Sequence, residues 1–321
     1  MQKLIDTQSI VSQATVARHS QHTVVIFGEV LFDDFPDGAV LGGAPFNVAW
    51  HLQAFGMHPV VISRTGNDAQ RERIIDNMQR WGMDTIGMQS DPLHPTGRVA
   101  VHEDDHGHRF EILAEQAYDY IHPTIARMVE LSVHPRLLYY GTLAQRNKVS
   151  RRALAALLRS ASVPRLLDLN LRAPWYDTRL INRSLESADI VKMSQEELAV
   201  LAKSLRLRGE DPVAHGDALV KRFALDRILV TCGDEGSWLL DKQGMLARES
   251  AEVGDIKVID TVGAGDAFSA VYITGMLLDW PIYITMQRAS AFAAAVCGVR
   301  GATPQDPAFY DRFRNAWGVP A

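Results

Sequence analysis

The chain has 321 residues, 47% of them hydrophobic, which is enough to bury a substantial core and excludes a largely disordered protein. Its 33 Lys and Arg against 38 Asp and Glu give a formal net charge of −5, which argues against a general nucleic-acid binder, whose affinity depends on a basic surface. Two cysteines, Cys232 and Cys297, stand far apart without a CxxC spacing, so the chain reads as a protein of a reducing cytoplasm with buried, inert thiols.

Residues 1–22 are polar and mixed and lack the apolar stretch of a secretory signal; they read as an extension ahead of one domain over 23–321. No apolar run reaches the roughly 18 residues of a membrane span, so no membrane partner is expected. Thr23–Phe27 predicts a buried strand that ends at Gly28 and feeds a loop over 29–38. Asp33 falls just past that strand end, where ligands of open α/β sheets bind, and it reads equally well as a solvated loop acid. Gly42 and Gly43 then precede helical spacing over 48–55, with Pro45 suited to a first turn. Asn47 would project from that turn toward whatever the glycines admit, or would merely cap it. A strand at 59–63, a loop at 66–68 and an amphipathic helix to Trp81 follow.

The pattern changes between 95 and 115, where 98–102 and 109–113 read as a hairpin about a turn rich in Asp, His and Gly. His102, Glu103 and His106 formally match a zinc-protease pattern. That pattern binds zinc only on a helix, where histidines four apart share a face, so hairpin residues are the expected reading. Leu137–Tyr140 predicts a strand and Lys148–Ser160 a helix. Asp168, Asn170 and Arg172, two apart, are expected on one polar face of an extended segment. Ser194 to Glu197 has the form of a capping box, which explains both residues without further function. Arg227–Thr231 predicts a buried strand running into a turn at Gly233 and Gly236 that suits a nucleotide or an ordinary hairpin.

The stretch 260–268, Asp-Thr-Val-Gly-Ala-Gly-Asp-Ala-Phe, carries the sharpest chemistry. Gly263, Ala264 and Gly265 leave room for a turn whose N–H groups converge on an anion, and the helix expected from 267 adds its positive end. Asp266 falls where a carboxylate would meet a reacting hydroxyl. With no thiol or serine nucleophile beside it, this suggests phosphoryl transfer to an alcohol whose proton the acid accepts. A helix rich in small residues, 284–299, follows.

The repeated strand and helix units predict an α/β fold with a mostly parallel central sheet covered by helices on both faces, and the excursions near 33–43 and 95–115 predict a small separate sheet. Gly42-Gly43 with Asn47, Pro95-Thr96-Gly97, Asp168-x-Asn170-x-Arg172, Thr231-x-Gly233-x-x-Gly236 and the 260–266 motif occur in an order that resembles the ribokinase-like, or phosphofructokinase-B, family of sugar kinases. Gly-Glu-x-Leu-x-Asp at 28–33 looks most like fructokinases and neighbouring hexose or keto-sugar-acid kinases. The resemblance implies a cytoplasmic, ATP-dependent kinase acting on a primary hydroxyl of fructose or a related sugar, with Asp266 as base and Gly263, Ala264 and Gly265 as anion hole. Asp33, Gly43, Asn47, Asn170 and Arg172 would bind substrate, and Lys192, Ser194, Thr231, Gly233, Gly236 and Ser290 the nucleotide. Glu197 would face Mg2+ through water, and Asp260, Val262, Val296, Val299 and Gly301 would surround a K+ ion. It further implies that the small sheet is a lid and pairs two copies into a homodimer. A ribose or nucleoside kinase, or a non-catalytic sugar binder, remains open on the sequence.

Overall fold

Thr23–Phe27 forms strand β1 with all 5 side chains buried, because both of its faces are covered. Val24 and Ile26 pack into one apolar cluster and Val25 and Phe27 into another, as alternation along a two-sided strand requires. The computed structural model describes residues 22–36, 38–104, 107–250 and 257–319, so the polar extension lies outside the described residues apart from His22.

The large sheet has 9 strands. From one edge they are β13 (Gly244–Glu249), β12 (Ser237–Asp241), β11 (Arg227–Thr231), β10 (Ile190–Ser194), β9 (Arg165–Asp168), β8 (Leu137–Tyr140), β1, β4 (His58–Gly66) and β5 (Met88–Asp91). All neighbours are parallel except at β11–β12 and β12–β13, where tight connections make hairpins. The chain adds β4 and β5 on one side of β1, then returns to add β8 through β13 on the other. Order therefore reverses beside β1, the place where open α/β sheets leave a crevice beyond their carboxyl ends.

One face of the sheet is covered by the Ala44–Ala54, Ala264–Leu277, Ile282–Cys297 and Pro307–Trp317 helices, which share a cluster with Val24 and Ile26. The opposite face holds the Lys148–Ser160, Thr178–Glu186, Gln195–Leu205 and Pro212–Phe223 helices. No helix among the described residues is long and apolar enough to cross a membrane.

A second sheet of 4 strands, in the order β3 (Gly38–Gly42), β2 (Leu31–Phe35), β6 (Gly97–Asp104) and β7 (Gly107–Ile112), stands beside the first. The loop expected over 29–38 is thus corrected: residues 31–35 are a strand. Leu31 and Phe32 are buried, and β2 pairs in parallel with β6 from Leu31↔Gly97 onward, a partner far away in sequence. In the β6–β7 hairpin His102 faces Glu111 at 2.9 Å, while His106 lies outside the described residues.

A second correction concerns 168–172. The extended segment stops at Asp168, and Asn170 takes a left-handed φ of 41°. Asp168, Asn170 and Arg172 therefore do not share a strand face. Asp168 stays buried while the other two turn out toward the crevice.

Candidate active site

A cavity of about 540 Å³ opens where β1, β8, β9 and β10 end, and residues of the small sheet line it as well. Asp33, Gly43, Asn47, Asn170 and Arg172 all reach it, as do Lys192, Gly263, Gly265 and Asp266. Residues from five parts of the chain are therefore brought together at one cavity.

Asn47 and Asp266 meet directly, the Asn47 Nδ2 donating to Asp266 Oδ2 at 2.8 Å. Local sequence prepares both partners. Gly43 caps the Ala44–Ala54 helix at φ 105°, and a Cβ there would fall 2.7 Å from the Glu29 carbonyl oxygen, so only glycine fits. Asp266 lies in the first turn of the Ala264–Leu277 helix. Burial, and then the charge of Asp168, raise its pKa from 3.8 to about 6, although the Asn47 hydrogen bond, Lys192 and Arg172 pull it back. The carboxyl therefore loses its proton in the neutral range while staying basic enough to accept another.

Lys192 supplies the cation beside it. Its Nζ sits 3.2 and 3.1 Å from the two oxygens of Asp168, whose Oδ2 also accepts from Tyr139 Oη at 3.0 Å and Ser269 Oγ at 2.8 Å. Burial works to lower the Lys192 pKa, but Asp168, Asp266 and Glu197 outweigh it, and the net direction is upward. The ammonium therefore stays charged. A Cβ on Gly265 would come within 2.8 Å of that Nζ, so the bare glycine lets the cation stand against the turn.

The turn itself is set by Gly263, at φ 80°, where a Cβ would lie 2.4 Å from the Cβ of Ala302. The Ala264 amide reaches back to the Thr261 carbonyl at a long 3.3 Å. As in any helix, the first N–H groups lack intrahelical acceptors, so those of Gly265 and Asp266 are left for an anion, next to a fixed ammonium and the positive helix end. Such an arrangement can stabilise a transferring phosphoryl group while a carboxylate orients the attacking hydroxyl.

A profile of the family described as pfkB family carbohydrate kinase matches residues 23–308. The chain belongs to the pfkB family of carbohydrate kinases. It is 29% identical over 317 residues to the probable fructokinase-6, chloroplastic, of Arabidopsis thaliana, covering 88% of this chain and 79% of that protein. It is 28% identical over 296 residues to the fructokinase of Salmonella typhimurium, covering 87% and 93%. Among solved structures, a fructokinase with bound ATP from Xylella fastidiosa superposes with a TM-score of 0.80 at 20% identity, covering 93% of this chain and 99% of that one.

In this pfkB-family chain the residues expected around a nucleotide, Lys192 apart, form a second group outside the lining of that cavity. Ser194 and Thr231 are register partners at the ends of β10 and β11. Gly233 (φ 58°) and Gly236 (φ 98°) shape the turn that follows, closed by Cys232 N–H to the Gly236 carbonyl at 2.7 Å. Ser290 comes beside it from the Ile282–Cys297 helix, 3.3 Å from Ser237 Oγ. Ser194 and Glu197 form the reciprocal capping box, and Glu197 Oε1 also accepts from Leu171 N–H at 2.6 Å. Burial raises the Glu197 pKa against the main-chain donor at Ser194 and the charge of Lys192. Each oxygen already takes a main-chain donor and keeps a further lone pair, which fits an acceptor for magnesium-bound water better than a direct ligand.

Asp260 clamps two loops, its Oδ1 accepting from Val262 N–H and its Oδ2 from Gly301 N–H, both at 3.0 Å. This draws 260–262 against 299–301, and the all-oxygen donor set of their carbonyls suits a hard monovalent cation. Val296 is the poorest fit, since its carbonyl already accepts from Val299 N–H at 3.1 Å.

Sequence reasoning passed over Glu29, which lines the cavity at 4% exposure. An acid two residues past an all-buried strand was the available signal, masked by its resemblance to a loop. Lys192, expected with the nucleotide, lines the cavity and stands against Gly265, tied to Asp168.

Proposed function

We propose that this enzyme transfers the γ-phosphoryl group of ATP to a primary hydroxyl of fructose or a related hexose or keto-sugar. The observation that carries this reading is the Asn47–Asp266 contact in the first turn of the Ala264–Leu277 helix, with the Lys192 ammonium against Gly265 beside it. Asp266 accepts the proton of the attacking hydroxyl as transfer proceeds. Because the transition state is loose, that transfer can come late, and holding the groups in line matters more than a strong base. Gly263, Ala264 and Gly265, with the helix end, neutralise the moving phosphoryl group, and Lys192 assists them. Asp33, Gly43, Asn47, Asn170 and Arg172 hold the acceptor. Burial first, and Asp34 second, raise the Asp33 pKa to about 6, opposed by Arg172. It can then donate as well as accept hydrogen bonds to sugar hydroxyls.

ATP occupies the second group: Thr231, Gly233, Gly236 and Ser290 border the base and ribose, and Ser194 acts through its helix cap. Magnesium bound with the nucleotide supplies charge neutralisation, with Glu197 oriented toward its waters. The carbonyls of the Asp260 clamp would hold a potassium ion, which would steady the turn. Residues 23–321 act as one kinase domain whose four-stranded sheet closes as a lid. Among the described residues that sheet leaves the outer edges of β3 and β7 unpaired, with Val40 on β3 42% exposed, which supports a homodimer through the lid. A cytoplasmic setting agrees with two free, half-buried cysteines. ADP release should be measured with magnesium and potassium over fructose, other hexoses, a keto-sugar acid, ribose and a nucleoside. Turnover on fructose or a close keto-sugar is expected, and turnover on none of them overturns the kinase reading.

A further inference from the structure

Glu29 is the first side chain past the end of β1 and has no role in the reaction described above. It is 4% exposed, yet it is part of the cavity wall together with Asp33, Asn47 and Asp266. Its Oε2 is buried without a hydrogen-bond partner among the described residues. Three other polar atoms nearby share that condition: Asn47 Oδ1 on the same cavity wall, the Tyr118 hydroxyl, and Nη1 of Arg146, whose guanidinium stacks 5.0 Å above the Tyr118 ring and pairs with Asp119 at 2.8 Å. The backbone beneath Glu29 is fixed as well, since Gly43 packs against its carbonyl with no room for a Cβ.

A buried carboxyl oxygen that no described group satisfies is costly to the fold and gives nothing back in structure. Retained on a cavity wall, it points to a ligand that completes it. Burial pushes the Glu29 pKa up to about 7, its own main-chain N–H and Arg172 resist, and Asp266 adds to the rise. In that state the group both donates and accepts, which suits an alcohol and does not suit an anion.

We infer that Glu29 is a sugar ligand, taking at the inner wall of the cavity a hydroxyl of the acceptor other than the one phosphorylated, and so deciding which sugars are admitted. The inference rests on the sugar-kinase reading and deepens it. A site built to hydrogen-bond a hydroxyl rejects an analogue lacking it, because the buried carboxyl is then left unpaired. Gln at 29 keeps the shape but cannot exchange donor for acceptor at one atom; Leu keeps only the bulk.

The test compares wild type, Glu29→Gln and Glu29→Leu in initial-rate kinetics over the accepted sugar and its set of monodeoxy analogues, with thermal unfolding of each sugar-free protein. The sugar KM is expected to rise about tenfold in Glu29→Gln, the upper end for one lost hydrogen bond between neutral groups, and further in Glu29→Leu. The ATP KM should stay unchanged, and the melting temperature should hold or rise. One deoxy analogue should erase the difference between wild type and Glu29→Leu. An unchanged sugar KM with a lower melting temperature makes Glu29 structural and overturns the assignment, as does an equal penalty on every analogue. Should Glu29→Leu not fold, Glu29→Gln alone decides on its KM. Absence of wild-type turnover on any sugar is a different result: it overturns the underlying kinase reading, and the ligand role with it.

Discussion

Replacing Asp266 by Asn removes one ionisable oxygen and almost nothing else, and its two consequences have opposite signs. The Asn47 Nδ2 that now donates at 2.8 Å still finds a carbonyl oxygen to meet. Stability should rise. Asp266 binds its proton more tightly in the folded chain, its pKa moving from 3.8 to about 6, so its ionised form opposes folding. That penalty is absent below the unfolded pKa, grows as pH climbs to the folded one, and is constant above. Two pH units correspond to about 3 kcal/mol, and the partial exposure of Asp266 to the cavity trims this to ~2 kcal/mol. Turnover should fall by about 10²–10⁴-fold, the usual contribution of a positioned general base. Urea unfolding of both proteins between pH 4 and 8, beside kcat for the preferred sugar, reads the two effects together. The wild-type kcat/KM should likewise decline as pH drops through about 6, where Asp266 takes up a proton. A variant that is less stable than wild type at pH 8, or that keeps kcat within tenfold, would refute this account of Asp266.

Lys192→Met should cost ~3–5 kcal/mol of stability, because Asp168, 1% exposed, is left charged without its cation; chemical denaturation measures it, and an unchanged midpoint contradicts the pairing. Asp260→Ala removes the acceptor that joins Val262 and Gly301, bonds worth ~1.5–3 kcal/mol each. The potassium concentration for half-maximal activity should rise, and an unaltered titration would dissociate the clamp from the ion. Ser194→Ala should lower stability by ~1 kcal/mol through loss of the cap. Thermal unfolding with and without ATP checks that the loss is the same in both, as a cap predicts.

The sheet of this chain was legible wherever an element carries its own signal. β1, β8, β11 and the Lys148–Ser160 helix fall where apolar runs and breakers put them, since strands covered on both faces are apolar throughout. β2 was not legible as a strand, because its sequence mixes Asp33 and Asp34 with aromatics and its pairing partner β6 is non-local. The turn and helix start at 263–265 were readable because small residues before an acid leave few structural alternatives. Asp168 was misread for the opposite reason. Its partners, Lys192, Tyr139 and Ser269, come from three separate elements, and spacing within 165–172 contains none of them. The unpaired oxygen of Glu29 was not legible, because an unpaired buried atom is a property of packing alone.

Gly263 touches Ala302 so closely that a Cβ on the glycine would lie 2.6 Å from the Ala302 Cα and 3.1 Å from its carbonyl oxygen. The curvature of the cradle is therefore written in part at a position that belongs to no motif. Across relatives, the size of the residue at 302 and the presence of glycine at 263 should vary as a pair. Drift at 302 toward a branched side chain would flatten the turn while every residue of the 260–266 signature stayed intact, so that a chain could carry the full signature and still lose the shape it encodes.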